Sequence, residues 1–212
     1  MKEEELKKKY QQKKEQIKDR LEEFRDVLSG NDKKLFSELA FCLMTPQSKA
    51  TDCWNTVETL TNNDLLFSGS HKQMLKHMKN VRFSKTKSKR IEEIRDKLSE
   101  TGTMKLKEKI LNGKTNVQLR EWLVENVKGF GYKESSHFLR NVGFGKDIAI
   151  LDRHIMKHLI NYGVIEEIPK NLNKKNYLEI ENKFKDFAKK VEISMEELDL
   201  LFWSEETGFI FK

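Results

Sequence analysis

LREWLVENVKGFGYKESSHFLRNVG, residues 119–143, decides how the rest of the chain is read. A helical pattern ends at Val127, Lys128-Gly129-Phe130-Gly131 intervenes, and a second helical pattern begins near Tyr132. The spacing predicts a helix, a tight hairpin and a helix. Gly129 and Gly131 permit positive φ and close backbone approach. Consecutive amides there can face a phosphate, with Lys128 beside them and the N-terminal dipole of the second helix behind them. A helix C-cap followed by a plain turn would use the same glycines, and spacing alone does not choose between the two.

Lys133 falls in the first turn of the second helix, where a cation is electrostatically unfavourable. Burial and neighbouring cations such as Lys128 would disfavour the ammonium further and favour the nucleophilic free amine. A phosphate contact or an ordinary surface lysine fits the same position. Nineteen residues on, Ile148–Leu151 leads into Asp152 and an amphipathic helix, KDIAILDRHIMKHL. Asp152 reads as the N-cap, which holds its carboxylate ionised and in front of that helix. It could serve as a cap alone, or face a lysine and stabilise a cationic transition state. His154 and His158 lie one turn apart without a third ligand in view, so packed or solvated histidines are expected and no metal or cofactor is assigned.

The remaining composition agrees with a helical protein. Across 212 residues there are two prolines and ten glycines, and 37% hydrophobic residues against 35% charged ones suit a packed core with a solvated helical surface. An all-α architecture follows, as a single unit of two lobes, 49–127 forming one and 1–48 with 128–212 the other. Lysine and arginine exceed aspartate and glutamate 41 to 34, for a net +7, which favours a polyanionic partner. Cys42 and Cys53 cannot supply a disulfide framework or a four-cysteine metal site. No segment has the roughly 18 apolar residues of a membrane span, and a cytoplasmic monomer is expected.

Leu6, Tyr10, Ile17, Leu21, Phe24 and Leu28 form one stripe on a helix over 3–28, and 32–45 reads as a buried helix capped by Asp32 and stopped by Pro46. Further helices are predicted at 49–61, 70–80, 88–99, 116–126, 133–141, 153–161, 174–191 and 195–206, the last with a capping box of Ser194 and Glu197.

Taken together, these segments resemble the helix–hairpin–helix DNA glycosylase superfamily and, within it, the archaeal-type 8-oxoguanine DNA glycosylase/AP lyases. GYKESSHFLRNVG, AILDRHI, the run from Ile168 to Glu181 and LDLLFW…TG…K at the end carry the likeness, over most of residues 35–212. The resemblance implies an active site in the cleft between the lobes. It implies that Lys133 attacks the sugar C1′, displaces the damaged base and forms a Schiff base that permits β-elimination, with Asp152 as the assisting carboxylate. The partner is then double-stranded DNA containing 8-oxoguanine, with the lesion extruded from the helix. Phe83 and Trp203 match aromatic positions that sandwich the purine, and the terminal carboxylate of Lys212 an acceptor that distinguishes the oxidised base by its N7–H. Gln47 matches a polar wedge that fills the vacated gap, and Arg82, Lys85, Lys87, Lys89 and Arg90 would serve phosphates. No Gly-Pro-Asp precedes the carboxylate, since the chain reads Ile150-Leu151-Asp152, and no C-terminal cysteine cluster supports an iron–sulfur branch. A helix–hairpin–helix glycosylase for another lesion and a non-enzymatic DNA-binding module are the alternatives.

Overall fold

One apolar stripe accounts for the first helix, α1 (Lys2–Ser29): Leu6, Tyr10, Ile17, Leu21, Phe24 and Val27 are buried, three to four residues or two turns apart, and the other faces are charged. Leu28, expected on that stripe, packs only at the core margin, and Val27 takes the buried place. The computed structural model describes residues 2–100 and 103–212. In α2 (Asp32–Met44) every residue from Leu35 to Met44 is buried, and the helix ends two residues before Pro46. Its cap is Asn31, whose side chain accepts from the Lys34 amide at 3.0 Å. Asp32, expected there, instead accepts the Lys107 amide at 2.7 Å, a tertiary contact that outcompetes the local one.

α3 (Ala50–Asn62), α4 (Leu65–Ser68), α5 (His71–Leu75) and α6 (Ser84–Leu98) follow. The expected helix over 70–80 is only one turn long, because turns from Lys76 onward reverse the chain and let α6 pack on α5. α6 starts four residues before the expected 88, directly after Phe83, which turns the chain with φ of 57°. β1 (Ser99–Glu100) and β2 (Thr103–Met104) pair antiparallel, Ser99 opposite Met104, and α7 (Leu106–Ile110) comes next. Neither this hairpin nor α7 was legible in the periodicity. They leave the all-α class intact, for helices α8 (Asn116–Asn126), α9 (Tyr132–Asn141), α10 (Arg153–Asn161), α11 (Lys174–Val191) and α12 (Met195–Thr207) complete the chain. Ser194 and Glu197 form the expected capping box on α12.

Two hydrophobic clusters organise these helices. The first gathers residues from Val27 through α2 and α9 to Ile148; the second joins the α1 stripe to residues from Ala149 through α12. Burying each large aliphatic or aromatic side chain stabilises the fold by about 1.5–3 kcal/mol relative to leaving it exposed. α1 lies along α12, where Tyr10 donates to Glu197 at 2.6 Å. The changeover between clusters falls at Ile148–Ala149, so α9 belongs to one and α10 to the other.

Candidate active site

The hairpin between α8 and α9 is set by local chemistry. Val127 closes α8 onto the Leu123 carbonyl, and Gly129 turns the chain with φ of 99°. The conformation demands glycine; a Cβ there would fall 2.5 Å from Nη1 of Arg90, a side chain that would have to move aside. Gly131, expected to share that freedom, is extended at φ −105° and ψ −168°, as an N-cap position ordinarily is. Its amide donates to Glu134 at 3.2 Å, while Phe130 is buried against Phe138 and anchors the loop. Lys128 is largely exposed, 3.5 Å from Glu93.

Lys133 stands in the first turn of α9 with 22% of its side chain exposed and its Nζ 3.9 Å from Glu134. One turn on, His137 is buried edge-on to Phe41 at 5.5 Å. Burial, then the charges of Lys133 and Arg140, push its pKa well below the usual range, so the ring is neutral at pH 7.

Asp152 caps α10: its Oδ1 accepts from the His154 and Ile155 amides at 2.8 and 2.9 Å. Capping through one oxygen leaves Oδ2 available. The buried strap Ile148–Leu151 that delivers Asp152 is fastened from below. Tyr177 donates to the Ala149 carbonyl at 2.6 Å and accepts the Leu151 amide at 3.2 Å, and Glu181 accepts the Ala149 amide at 2.7 Å. Glu181 also takes two bonds from the wholly buried Arg120, at 2.5 and 2.8 Å, and Arg120 reaches Ser136 on α9 at 3.3 Å. A single ion pair thereby ties α8, α9 and α11 to the strap. Asp199 on α12 feels Lys133, Asp152 and Arg140 together. Burial pushes its carboxyl up to about 6 despite Arg140 at 3.3 Å, which acts the other way.

Two flanks adjoin these groups. A cavity of about 370 Å³ is bounded by Gln47, Phe83, Arg90, Gly129 and Glu134, so the expected wedge, one expected aromatic and the hairpin share a space. On the other flank, Phe41 links His137, Trp54 and Phe211, and Phe211 stacks near Trp203 at 6.1 Å. The Lys212 ammonium pairs with buried Glu38 and sits 3.4 Å over the Trp54 ring. Asn141 steadies Glu38 from α9 at 3.0 Å. Burial lowers the pKa of the Lys212 ammonium, with Glu38 opposing. Phe83 and Trp203 make no ring contact with each other among the described residues.

Lys87 is not a phosphate lysine. It is 3% exposed and donates to the Met44 and Pro46 carbonyls and Ser48 Oγ at 2.6, 2.7 and 3.1 Å, and burial pushes its ammonium down to about 8. A signal for this was present: Lys87 lies on the same face of α6 as Ile91, Ile94 and Leu98, all buried. Glu38, Arg120, Glu181, Arg140 and Asp199 also escaped sequence reasoning. His154 and His158 face Glu205 and Glu206, His158 stacking on Phe202 at 4.5 Å, and among the described residues no group of three or more such side chains could hold a metal.

Comparison with known proteins adds an independent line. A family model described as 8-oxoguanine DNA glycosylase matches residues 17–193. The 8-oxoguanine DNA glycosylase/AP lyase of Fusobacterium nucleatum is 44% identical over 209 residues, 98% of this chain and 96% of that protein. That of Korarchaeum cryptofilum is 38% identical, covering 92% of this chain and 90% of that one. The 8-oxoguanine glycosylase/lyase of Methanocaldococcus jannaschii, solved in complex with a 15mer DNA containing 8-oxoguanine, superposes with a TM-score of 0.85 at 33% identity, over 98% of this chain and 99% of that one. The 8-oxoguanine DNA glycosylase of Thermotoga maritima gives a TM-score of 0.88 at 31% identity, over 99% and 98% of the two chains.

Proposed function

The chain belongs to the 8-oxoguanine DNA glycosylase family, and from that premise we propose that Lys133 and Asp152 carry its chemistry. The protein is a DNA glycosylase/AP lyase: it removes 8-oxoguanine from DNA and cleaves the abasic site that results. The observation that supports the assignment is that Lys133 opens α9 and Asp152 caps α10 through Oδ1, and both are among the charges that act on the buried Asp199 carboxyl.

In the proposed sequence the unprotonated Lys133 Nζ attacks C1′ of the extruded nucleoside. The C1′–N bond breaks, and the base departs with its electrons and takes up a proton. Oδ2 of Asp152 faces the positive charge that develops on the sugar. Loss of the nitrogen's proton and opening of the sugar ring give a Schiff base, which is an electron sink. Removal of a C2′ proton then expels the 3′ phosphate by β-elimination. Aqueous hydrolysis of the imine returns the free amine.

Phe83 and Trp203 form the aromatic walls for the base, Gln47 fills the gap, and the Lys212 carboxylate accepts from N7–H. Guanine presents a lone pair at N7, so that acceptor would oppose it. Lys128 and the hairpin around Gly129 and Gly131 hold a backbone phosphate. The reading keeps the cleft between the expected lobes, 49–127 and 1–48 with 128–212, as the active site; Lys133 is on α9, which packs in the first hydrophobic cluster, and Asp152 caps α10, which packs in the second. No helix among the described residues is long and apolar enough to cross a membrane, and the reading puts the protein with the cell's DNA.

Borohydride reduction tests the assignment. Wild type should become covalently linked to duplex DNA containing 8-oxoguanine, and Lys133→Gln should neither release the base nor link. Full linking by Lys133→Gln would overturn it. Salt-sensitive binding by wild type, with no release and no linking, would return the chain to the DNA-binding alternative.

A further inference from the structure

Two residues other than glycine that line the same cavity, Gln47 with φ of 56° and Phe83 with φ of 57°, adopt the left-handed backbone. Such conformations persist only where the surroundings over-determine them. Here the surroundings converge on one buried side chain. The Lys87 ammonium donates to Met44, Pro46 and Ser48, spanning the residues on both sides of Gln47. Its own amide donates to the Phe83 carbonyl at 3.0 Å, and Ser48 Oγ also accepts the Arg82 amide at 2.9 Å, next to Phe83.

We propose that Lys87, with Ser48 as shared acceptor, is a positioning residue for base extrusion: it locks the Gln47 loop to the Phe83 turn so that both meet the duplex as one preformed unit. The inference rests on the roles assigned above to Gln47 and Phe83. Three oxygens surround an ammonium that can donate three bonds, so its donor capacity is filled and none is left for a phosphate. The bonds to the Pro46 carbonyl and Ser48 Oγ tie the Gln47 loop, which has no secondary structure of its own between α2 and α3, and the bond to the Met44 carbonyl ties the end of α2. Without the Lys87 ammonium, the Arg82 amide bond to Ser48 Oγ at 2.9 Å is what still ties the two loops. A wedge and a wall that had to be ordered during extrusion would add that entropy to the unstacking of the base.

The clamp acts on entry of the base and not on the amine, so it should divide the two activities. Lys87→Met removes the donor. Ser48→Ala keeps the charge, which matters because Lys87 and Lys133 feel each other's field, and it serves as the milder variant should Lys87→Met fail to fold. Single-turnover excision from an 8-oxoguanine duplex should fall on the order of 10- to 100-fold in Lys87→Met and less in Ser48→Ala. Borohydride linking to a preformed abasic site should fall by no more than about threefold, and 2-aminopurine beside the lesion should lose its extrusion signal. Equal loss of both activities in Ser48→Ala, or excision within about twofold of wild type in both variants, would overturn the proposal.

Amide exchange in residues 45–48 and 82–84 provides a readout that does not depend on the chemistry. Both segments should exchange faster together in either variant. If wild type itself neither excises nor links, the functional reading fails, and the exchange result alone judges the clamp: unchanged protection in both segments rejects it.

Discussion

Glu181→Ala should destabilise the protein more than almost any other single change, for a reason visible in its bonds. Glu181 accepts two bonds from Arg120 and one from the Ala149 amide, at 2.5, 2.8 and 2.7 Å. Its removal leaves a guanidinium with no solvent exposure, one remaining hydroxyl partner in Ser136 at 3.3 Å, and only the Tyr132 and Tyr177 rings at 5.1 and 5.7 Å to face it. Breaking a buried ion pair from one side costs about 3–5 kcal/mol. For a chain of this size each kcal/mol lowers the melting temperature by about 2–4 °C, which gives a fall of about 10 °C. Thermal melting followed by far-ultraviolet circular dichroism reads it directly. The double variant Arg120→Met/Glu181→Met removes both charges and should recover more than half of the loss, because the deficit comes from the stranded charge and not from missing volume. Excision should also slow in Glu181→Ala at temperatures where it is folded, since the strap ahead of Asp152 loses its lower tie. A single variant melting within about 3 °C of wild type would refute the reasoning. So would a double variant no better than the single one.

Three further outcomes follow from the same geometry. Asp152→Asn retains a capping side chain and should melt like wild type while excision collapses, whereas Asp152→Ala should also lose about 1 kcal/mol of stability; equal melting of the two variants would show that the cap carries no energy. Asp199 holds its proton to about pH 6 in the fold against an ordinary value of 3.8, so the folded state binds the extra proton between those values and stability from this group falls as pH rises through that window. The stability of Asp199→Asn relative to wild type should therefore move in the variant's favour by up to about 3 kcal/mol between pH 3 and pH 7, and denaturant titrations showing a pH-independent difference would contradict this. Extending the chain beyond Lys212, or replacing Glu38 with Gln to release the Lys212 ammonium, should impair 8-oxoguanine excision more than abasic-site cleavage; parallel losses in the two assays would remove Lys212 from base reading.

Features whose causes lie within a few residues were legible in advance. The turn at Gly129, the start of α9, the Asp152 cap and the Ser194–Glu197 box each satisfy backbone groups no more than four positions away, so residue type at a given spacing specifies them. The α1 stripe was legible for the same reason, apart from Val27 replacing Leu28. Where a distant group competed, local reading failed: Asp32 forgoes the cap for the Lys107 amide, 75 positions away. Lys87 looked like one more member of a basic run, since a sequence displays its charge and not the three carbonyl and hydroxyl oxygens that enclose it.

From its sequence alone this chain is helical, carries a glycine-containing hairpin between two helices, and places a lysine and a carboxylate at two helix N-termini; those follow from periodicity and capping. Only the tertiary structure decided which charges are buried and what neutralises them. Arg120 meets Glu181 across 61 positions, Lys87 meets Met44 across 43 and Lys212 meets Glu38 across 174. Burying a charge is favourable only where a partner of the right geometry is already in place, and that condition is met by the packing of whole helices and by no local pattern.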